Sequence, residues 1–421
     1  MQRMMSACII CCVLLMGCAA PQLNWESPYR ELSSLEEGDI LHLPTGVKIT
    51  KEQLTHMLGA AQVIYVAETH DNIHSHEVQL EILKALTERH PQKIAVGMEM
   101  LKRSSQDAAD QWISGGLDEK DFVKVWTENW SNNFEYYRSI LRYMRDNKIP
   151  LVALLAPDDW TAKIKNESSN RTKENEDTLP EMDYEDPYYF DYIKAFFGEH
   201  PMGGLDFDYF YKIQVLRDES MAESITEYLQ SEQGRDRKIL IFAGGHHIQY
   251  GFGIPRRVFR RLQIPYAIVV PITIHIPAEK RHKVMHVHLP EIPFQPGDFA
   301  WIVGYEDLRD QKVYLGVIVQ DTDDGVKVLG MLKDSTAEEV GLQKDDIITA
   351  VDGEPVETKF DLTYLISLKE PGDKGLIEVL RNNESLRFEV TFRTNGNLGG
   401  VPQHGGAEAM EVLRDGPAGK K

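Results

Sequence analysis

Val63-Ile64-Tyr65-Val66-Ala67-Glu68-Thr69-His70 opens with five apolar residues in succession and closes on an acid and a histidine. An unbroken apolar run of this length reads as a strand buried on both faces, because a strand with one wet face would alternate apolar and polar residues. The same signal recurs in IAVGMEM at 94–100, PLVALLAP at 150–157, ILIFAGG at 239–245 and YAIVVPI at 266–272. Amphipathic segments lie between these runs; from Glu77 to His90, Val78, Ile82, Leu83 and Leu86 fall on one helical stripe. Buried strands alternating with helices predict an α/β domain, a mainly parallel sheet with helices on both faces.

Three polar motifs each fall where an apolar strand ends: Glu68-Thr69-His70, then Glu99, then Gly244-Gly245-His246-His247. The carboxyl ends of parallel strands share one edge, where ligands bind, so these residues should converge. Two histidines and two carboxylates suit a divalent transition ion with Glu68, His70, Glu99 and His247 as its ligands. They suit equally an acid–base pair in which Glu68, His70 and His247 activate water. The bland alternative has His70 and His247 capping the following helices. His74 and His76 read as helix-entry residues, with Asn72 or Ser75 as the cap. Glu128, Asn129 and Trp130 either line the crevice or belong to a helix surface, and Asp218 and Glu219, in a helical segment, either support the site from behind or face solvent. His76-Glu77-Val78-Gln79-Leu80 begins like a zinc-protease helix but has Leu80 where the second ligand belongs. Gly251-Phe252-Gly253 lacks the third glycine of a dinucleotide loop, and no P-loop is found.

The 421 residues suffice for two or three domains. A net charge of -20 makes nucleic acid an unsuitable partner. All four cysteines, Cys8, Cys11, Cys12 and Cys18, lie in the first 18 residues, so neither a disulfide framework nor a thiolate metal site is expected downstream. One basic residue, Arg3, and the short apolar run Ala7–Met16 have the form of an export signal. The run closes on Leu15-Met16-Gly17-Cys18, which resembles a bacterial lipobox. The resemblance implies lipid on Cys18 and anchoring to a membrane; Ala19 after the cysteine favours the outer membrane, facing the periplasm.

A polar tether is expected over 19–38 and the α/β domain over 39–280. Within that domain a polar loop at 166–186 precedes a cluster running from Tyr188 to Tyr211 that includes Phe190, Tyr192, Phe196 and Phe207. It reads as a helical cap, either stapled by its own aromatic rings or lying over a flat apolar ligand. Residues 281–312 read as a connector, and His275, His282, His286 and His288 around it as solvated linker or edge strand in preference to a metal site. From Asn395 onward the glycine-rich chain reads as a disordered tail.

Residues 313–394 resemble a PDZ domain of the kind attached to bacterial envelope proteases. Tyr314-Leu315-Gly316-Val317 stands where the carboxylate-binding loop belongs, Val340-Gly341-Leu342 follows, and Asp345-Asp346-Ile347-Ile348 leads into Val351-Asp352-Gly353. The resemblance implies a small β-rich domain that takes peptide or protein C-termini by strand addition, with a helix at 360–368 beside the groove. A domain that only docks on its neighbour is the alternative. The sequence has no Gly-x-Ser-x-Gly or Gly-Asn-Ser-Gly nucleophile motif of the accompanying proteases.

AETHDNIHSHEVQ, VGMEM, Gln214 to Ala222 and AGGHHIQYGFGIPRR together, over about residues 35–280, look like the ChaN family of haem-binding uptake lipoproteins, which belongs with the Tiki, TraB and erythromycin-esterase-like proteins. The superfamily's two Gly-x-x-His motifs map onto Ala67 to His70, with alanine for glycine, and Gly244 to His247. For this chain the resemblance implies haem as cofactor and a role in iron uptake, with Tyr250 and His246 as candidate cofactor-binding residues. The Tiki branch implies instead a metal-dependent hydrolase or peptidase using Mn, Co or Zn. A non-catalytic scaffold is a third class, and a homodimer sharing one cofactor is left open.

Overall fold

The computed structural model describes residues 35–394 apart from 131–133, 168–178, 199–205, 284–288, 290–291 and 309–310. The leader with Cys18, most of the tether, His286, His288 and the tail lie outside the described residues. Eight strands form one sheet: β1 (Ile40–His42), β2 (Val47–Ile49), β3 (Val63–Glu68), β4 (Ile94–Lys102), β5 (Leu151–Leu155), β6 (Lys238–Gly244), β7 (Tyr266–His275) and β8 (Phe299–Gly304). Their order is β2-β1-β8-β7-β3-β6-β4-β5. The six from β8 to β5 run parallel, and β1 and β2 close one side antiparallel.

Both faces of the central strands are dry, as the apolar runs predict. Ile64, Val66, Val96, Met98, Leu240 and Phe242 face one core, and Val63, Tyr65, Ala67, Ala95, Ile239, Ile241 and Ala243 face the other. The first face is covered by α1 (Lys51–Leu58), α2 (Ile73–Arg89), α3 (Gln106–Ser114), α4 (Glu119–Asn129) and α5 (Glu135–Asp146). Asn72 caps α2, its side chain accepting the His74 amide, and the helix buries Val78, Ile82, Leu83 and Leu86. Beyond α6 (Asp158–Glu167) and α7 (Pro187–Gly198), the long α8 (Phe207–Gln230) covers the second face; α9 (Gly245–Ile248) and α10 (Ile254–Arg261) follow β6. Tyr189 and Tyr192 of α7 pack with Tyr211 of α8 and Phe252, so the expected cap is a helix pair held by aromatic rings.

Segment 281–312 is more than the connector expected of it. It supplies β8, fully buried between β1 and β7, because its run FAWIVG is apolar on both faces. His275 ends β7 as an exposed residue, its Nδ1 3.3 Å from Glu37.

The second domain comprises β9 (Val313–Tyr314), β10 (Val317–Thr322), β11 (Gly325–Met331), α11 (Thr336–Glu339), β12 (Ile347–Val351), β13 (Glu354–Pro355), α12 (Lys359–Ser367), β14 (Lys374–Arg381), β15 (Glu384–Thr391) and β16 (Arg393–Thr394). Its main path is β10-β11-β12-β14-β15, which leaves β10 at an edge. Val326, Val328, Ile348, Val351, Ile377, Val379 and Phe392 form a separate core. The domains touch through α12: Phe360 and Tyr364 pack against the first domain's core, and Asp361 pairs with Lys120 at 2.7 Å.

Candidate functional site

Glu68 ends β3 directly opposite Gly244, the last residue of β6, and β4 lies on the far side of β6. The three motifs therefore meet at adjacent strand ends, as their positions require. Gly244 is the residue that permits it. A Cβ there would stand 2.8 Å from His70 Nε2, so the glycine of one motif makes room for the histidine of the other.

Glu68 is buried and its carboxylate is filled. His70 Nδ1 lies 2.7 Å from Oε1, Tyr137 donates to the same oxygen at 2.5 Å, and Gln79 donates to Oε2 at 2.7 Å. Burial alone would raise this carboxyl, but the nearby His76 and the bonds from His70 and Tyr137 hold it below its ordinary range. His76 is more than a helix-entry residue: it is 4 % exposed, its Nε2 lies 3.1 Å from the His70 carbonyl, and its ring stands edge-on to Tyr137. His74 stays at the surface beside Glu77.

Glu99 is equally buried, on the other face. It accepts from Arg217 and from the Gly244 amide, each at 2.7 Å. His247 stands between Glu99 and Asp218, with Nδ1 2.6 Å from Asp218 and Nε2 3.4 Å from Glu99. Burial opposes its charge, but the two carboxylates push its pKa up to about 9, and its charge in turn holds Glu99 well below the usual carboxylate range. Tyr189 donates to the second oxygen of Asp218. Glu219, one residue on, is held by Arg257, Arg260 and Arg261 of α10 and fastens that helix to α8.

Glu68, His70, Glu99 and His247 thus converge as expected, but as partners in two ion-pair chains. Among the described residues no group of three or more His, Cys, Asp or Glu is arranged to hold a metal ion, so the geometry lends the metal-ligand set no support. Of the WTENW segment, Asn129 accepts the Lys102 amide at 2.8 Å and braces the end of β4, Trp130 stands edge-on to His70, and Glu128 is exposed.

The other side of the His247 turn is apolar. Ring contacts run without a break from His246 to Phe196, Tyr192, Tyr250 and Phe252, and on to Tyr188 and Phe294, which are 45 % and 52 % exposed. Burial and the neighbouring His247 charge hold His246 well below its ordinary pKa, so it is a neutral imidazole. Tyr250 takes a left-handed backbone, φ 60°, unusual for a bulky residue, and its half-buried ring forms the centre of the ledge.

In the second domain Tyr314-Leu315-Gly316-Val317 leads into edge strand β10. The Leu315 and Gly316 carbonyls accept the Ala337 and Leu332 amides at 2.9 and 2.8 Å, which turns the loop's acceptors inward. Gly316 has φ +79°, and a Cβ on it would lie 2.3 Å from that of Ser335.

Arg217, Gln79, Tyr137 and Tyr189 complete the site and were not among the expected site residues, while Asp218 takes the supporting place that was one of its two readings. Arg217 and Asp218 lie inside the Gln214–Ala222 stretch that carries the family resemblance. Tyr137 carries no local signal, since its partner Glu68 is 69 residues away.

The family described as "Haem-binding uptake, Tiki superfamily, ChaN" matches residues 54–258, and the PDZ domain matches residues 313–392. A chloroplastic protein of Arabidopsis thaliana, RETICULATA-RELATED 5, is 21 % identical over 56 % of this chain and 35 % of its own length. A DegP-like periplasmic serine endoprotease of Pseudomonas putida is 30 % identical over 23 % of each chain. The chain thus spans between about a quarter and a third of these relatives. Among solved structures, ChaN of Campylobacter jejuni with cofacial haem is 19 % identical, with TM-score 0.48, covering 63 % of this chain and 98 % of that one. Among the described residues no helix is long and apolar enough to cross a membrane.

Proposed function

We propose that this protein, which carries a ChaN-family domain at 54–258 and a PDZ domain at 313–392, binds haem on the aromatic ledge beside the strand-end site and captures peptide C-termini with its PDZ groove. The observation that carries the haem reading is Tyr250, half-buried and held in a strained left-handed conformation in a run of packed aromatic rings that reaches the surface at Tyr188 and Phe294. Strain of this kind persists where the surroundings impose it, and it clusters at functional sites. When bound, haem would supply a flat apolar ring system and an iron able to take an oxygen or nitrogen ligand from the protein. Tyr250 and the neutral His246 would hold the haem, and Tyr188, Phe196 and Phe294 would offer it apolar faces. The ion-paired Glu68, His70, Glu99 and His247 brace the turn that presents them.

For the PDZ domain, the open edge of β10 beside α12 and the inward-turned carbonyls of the Leu315–Gly316 loop suit addition of a chain terminus as an extra strand. Lipid on Cys18 would tether the protein to the outer membrane, facing the periplasm, in keeping with iron uptake.

The test is a haemin titration of the full chain in detergent, followed by its Soret band. Parent protein should bind with a shifted band, Tyr250→Phe should weaken binding about tenfold or more, corresponding to about 1.4 kcal/mol, and His246→Ala should change the spectrum. Equal binding by parent and both variants would remove the ledge as the site. Elemental analysis decides the hydrolase reading: stoichiometric Mn, Co or Zn lost in His70→Ala and His247→Ala would favour it. Sedimentation of the haem-loaded chain reports whether two copies share one cofactor.

A further inference from the structure

The first turn of α5 touches both the strand-end site and the second domain with four successive side chains. Glu135 lies 3.6 Å from Lys312, at the entry to the second domain. The Tyr136 hydroxyl lies 3.1 Å from Asp307 and 3.2 Å from the Asp71 carbonyl, which share its one hydrogen, and it accepts the Leu308 amide at 3.0 Å. Tyr137 donates to Glu68 of the strand-end site at 2.5 Å. Arg138 donates to the carbonyl and hydroxyl of Ser367, at 3.0 and 2.9 Å, and so holds the last residue of α12. A cation at a helix C-terminus is held by the unpaired carbonyls there.

Helix α12 is gripped at its other end as well. Lys120 pairs with Asp361, which forms the capping box with Thr358, and Phe360 and Tyr364 press on the first domain's core. A peptide adding to β10 would lie beside this helix, so seating it must press on or reposition α12. Tyr136 and Tyr137 are 8 % and 0 % exposed, and a packed helical turn moves as one body.

From this juxtaposition we propose that the first turn of α5 is a relay, with Tyr137 and Arg138 as positioning residues, through which occupancy of the PDZ groove changes the Glu68–His70 pair and the reverse. The peptide role of the groove rests on the function proposed above, but the coupling itself requires no ligand. Linkage makes it reciprocal: whatever alters the site alters the groove by the same free energy.

Hydrogen exchange by mass spectrometry on the full chain in detergent tests the relay without haem or peptide. Tyr137→Phe removes the hydroxyl that reaches Glu68 and keeps the ring. It should raise exchange of the amides at 359–367 about fivefold, the low end of measured couplings, while 374–391 in β14 and β15 stay protected. In an Arg138→Ala background the same change should have no effect on 359–367, and Arg138→Lys should restore part of it. Unchanged exchange at 359–367, an equal change in both backgrounds, or a loss of protection spread through β14 and β15 would each overturn the relay. Because no ligand enters this measurement, failure of the haem or peptide reading is scored separately, by titration.

Discussion

His247 is buried between Asp218 and Glu99 and carries a proton that its ordinary pKa would surrender near neutrality. Its folded pKa of about 9 stands above the value of 6.5 for the free side chain. The folded state therefore binds the proton more tightly. The resulting stability is complete below pH 6.5 and is lost as pH rises through 9, with an upper size on the order of 3 kcal/mol. The expected outcome is a urea midpoint that falls between pH 6.5 and 9 in the parent and falls much less in Asp218→Asn. Equal slopes would show that His247 is not charged in the fold. At this scale the sequence told part of the story. A histidine and an acid at each strand end were legible because the apolar runs stop there; their conversion into ion pairs was not, because Arg217, Asp218 and Tyr137 come from helices whose own spacing says nothing of what they face.

The central strands were the readable elements. A six-residue run such as Val63–Glu68, buried at every position, fits a strand covered on both faces and little else. Strand β8 was missed, although Phe299–Gly304 is as apolar, because it follows a proline-containing stretch that reads as a linker. In the second domain the glycines carry the register of the loops. Gly316→Ala must place a methyl on Ser335 as well as force a left-handed backbone, and should destabilise the domain by about 2–3 kcal/mol in urea unfolding. Gly341→Ala, with φ +84° and nothing within 4 Å of its added Cβ, meets only the backbone term of about 1–2 kcal/mol. Similar losses for both would mean that the contact with Ser335 relaxes freely.

Across the whole molecule, the shared packing of Phe360 and Tyr364 makes two folding units behave as neighbours with a common wall. Calorimetry should show one overlapping transition for the parent and two resolved ones for Phe360→Asp combined with Tyr364→Asp, which puts two charges into a partly buried apolar contact. Two resolved transitions in the parent would mean that the contact contributes little. The domain order was legible from the two resemblances, whereas this contact was not, because an aromatic pair on a short helix reads the same whether it faces its own core or a neighbour's. The open edge of β10 has a cost of its own. Among the described residues β10 is paired on one side alone, and its open edge, with Ile318 53 % exposed, can accept the edge of another copy as well as a peptide. A net charge of -20, with Asp321, Asp323 and Asp324 at the β10–β11 turn, keeps identical molecules apart. Colloidal stability is thus entrusted to repulsion, and high salt is the condition under which this protein should begin to self-associate.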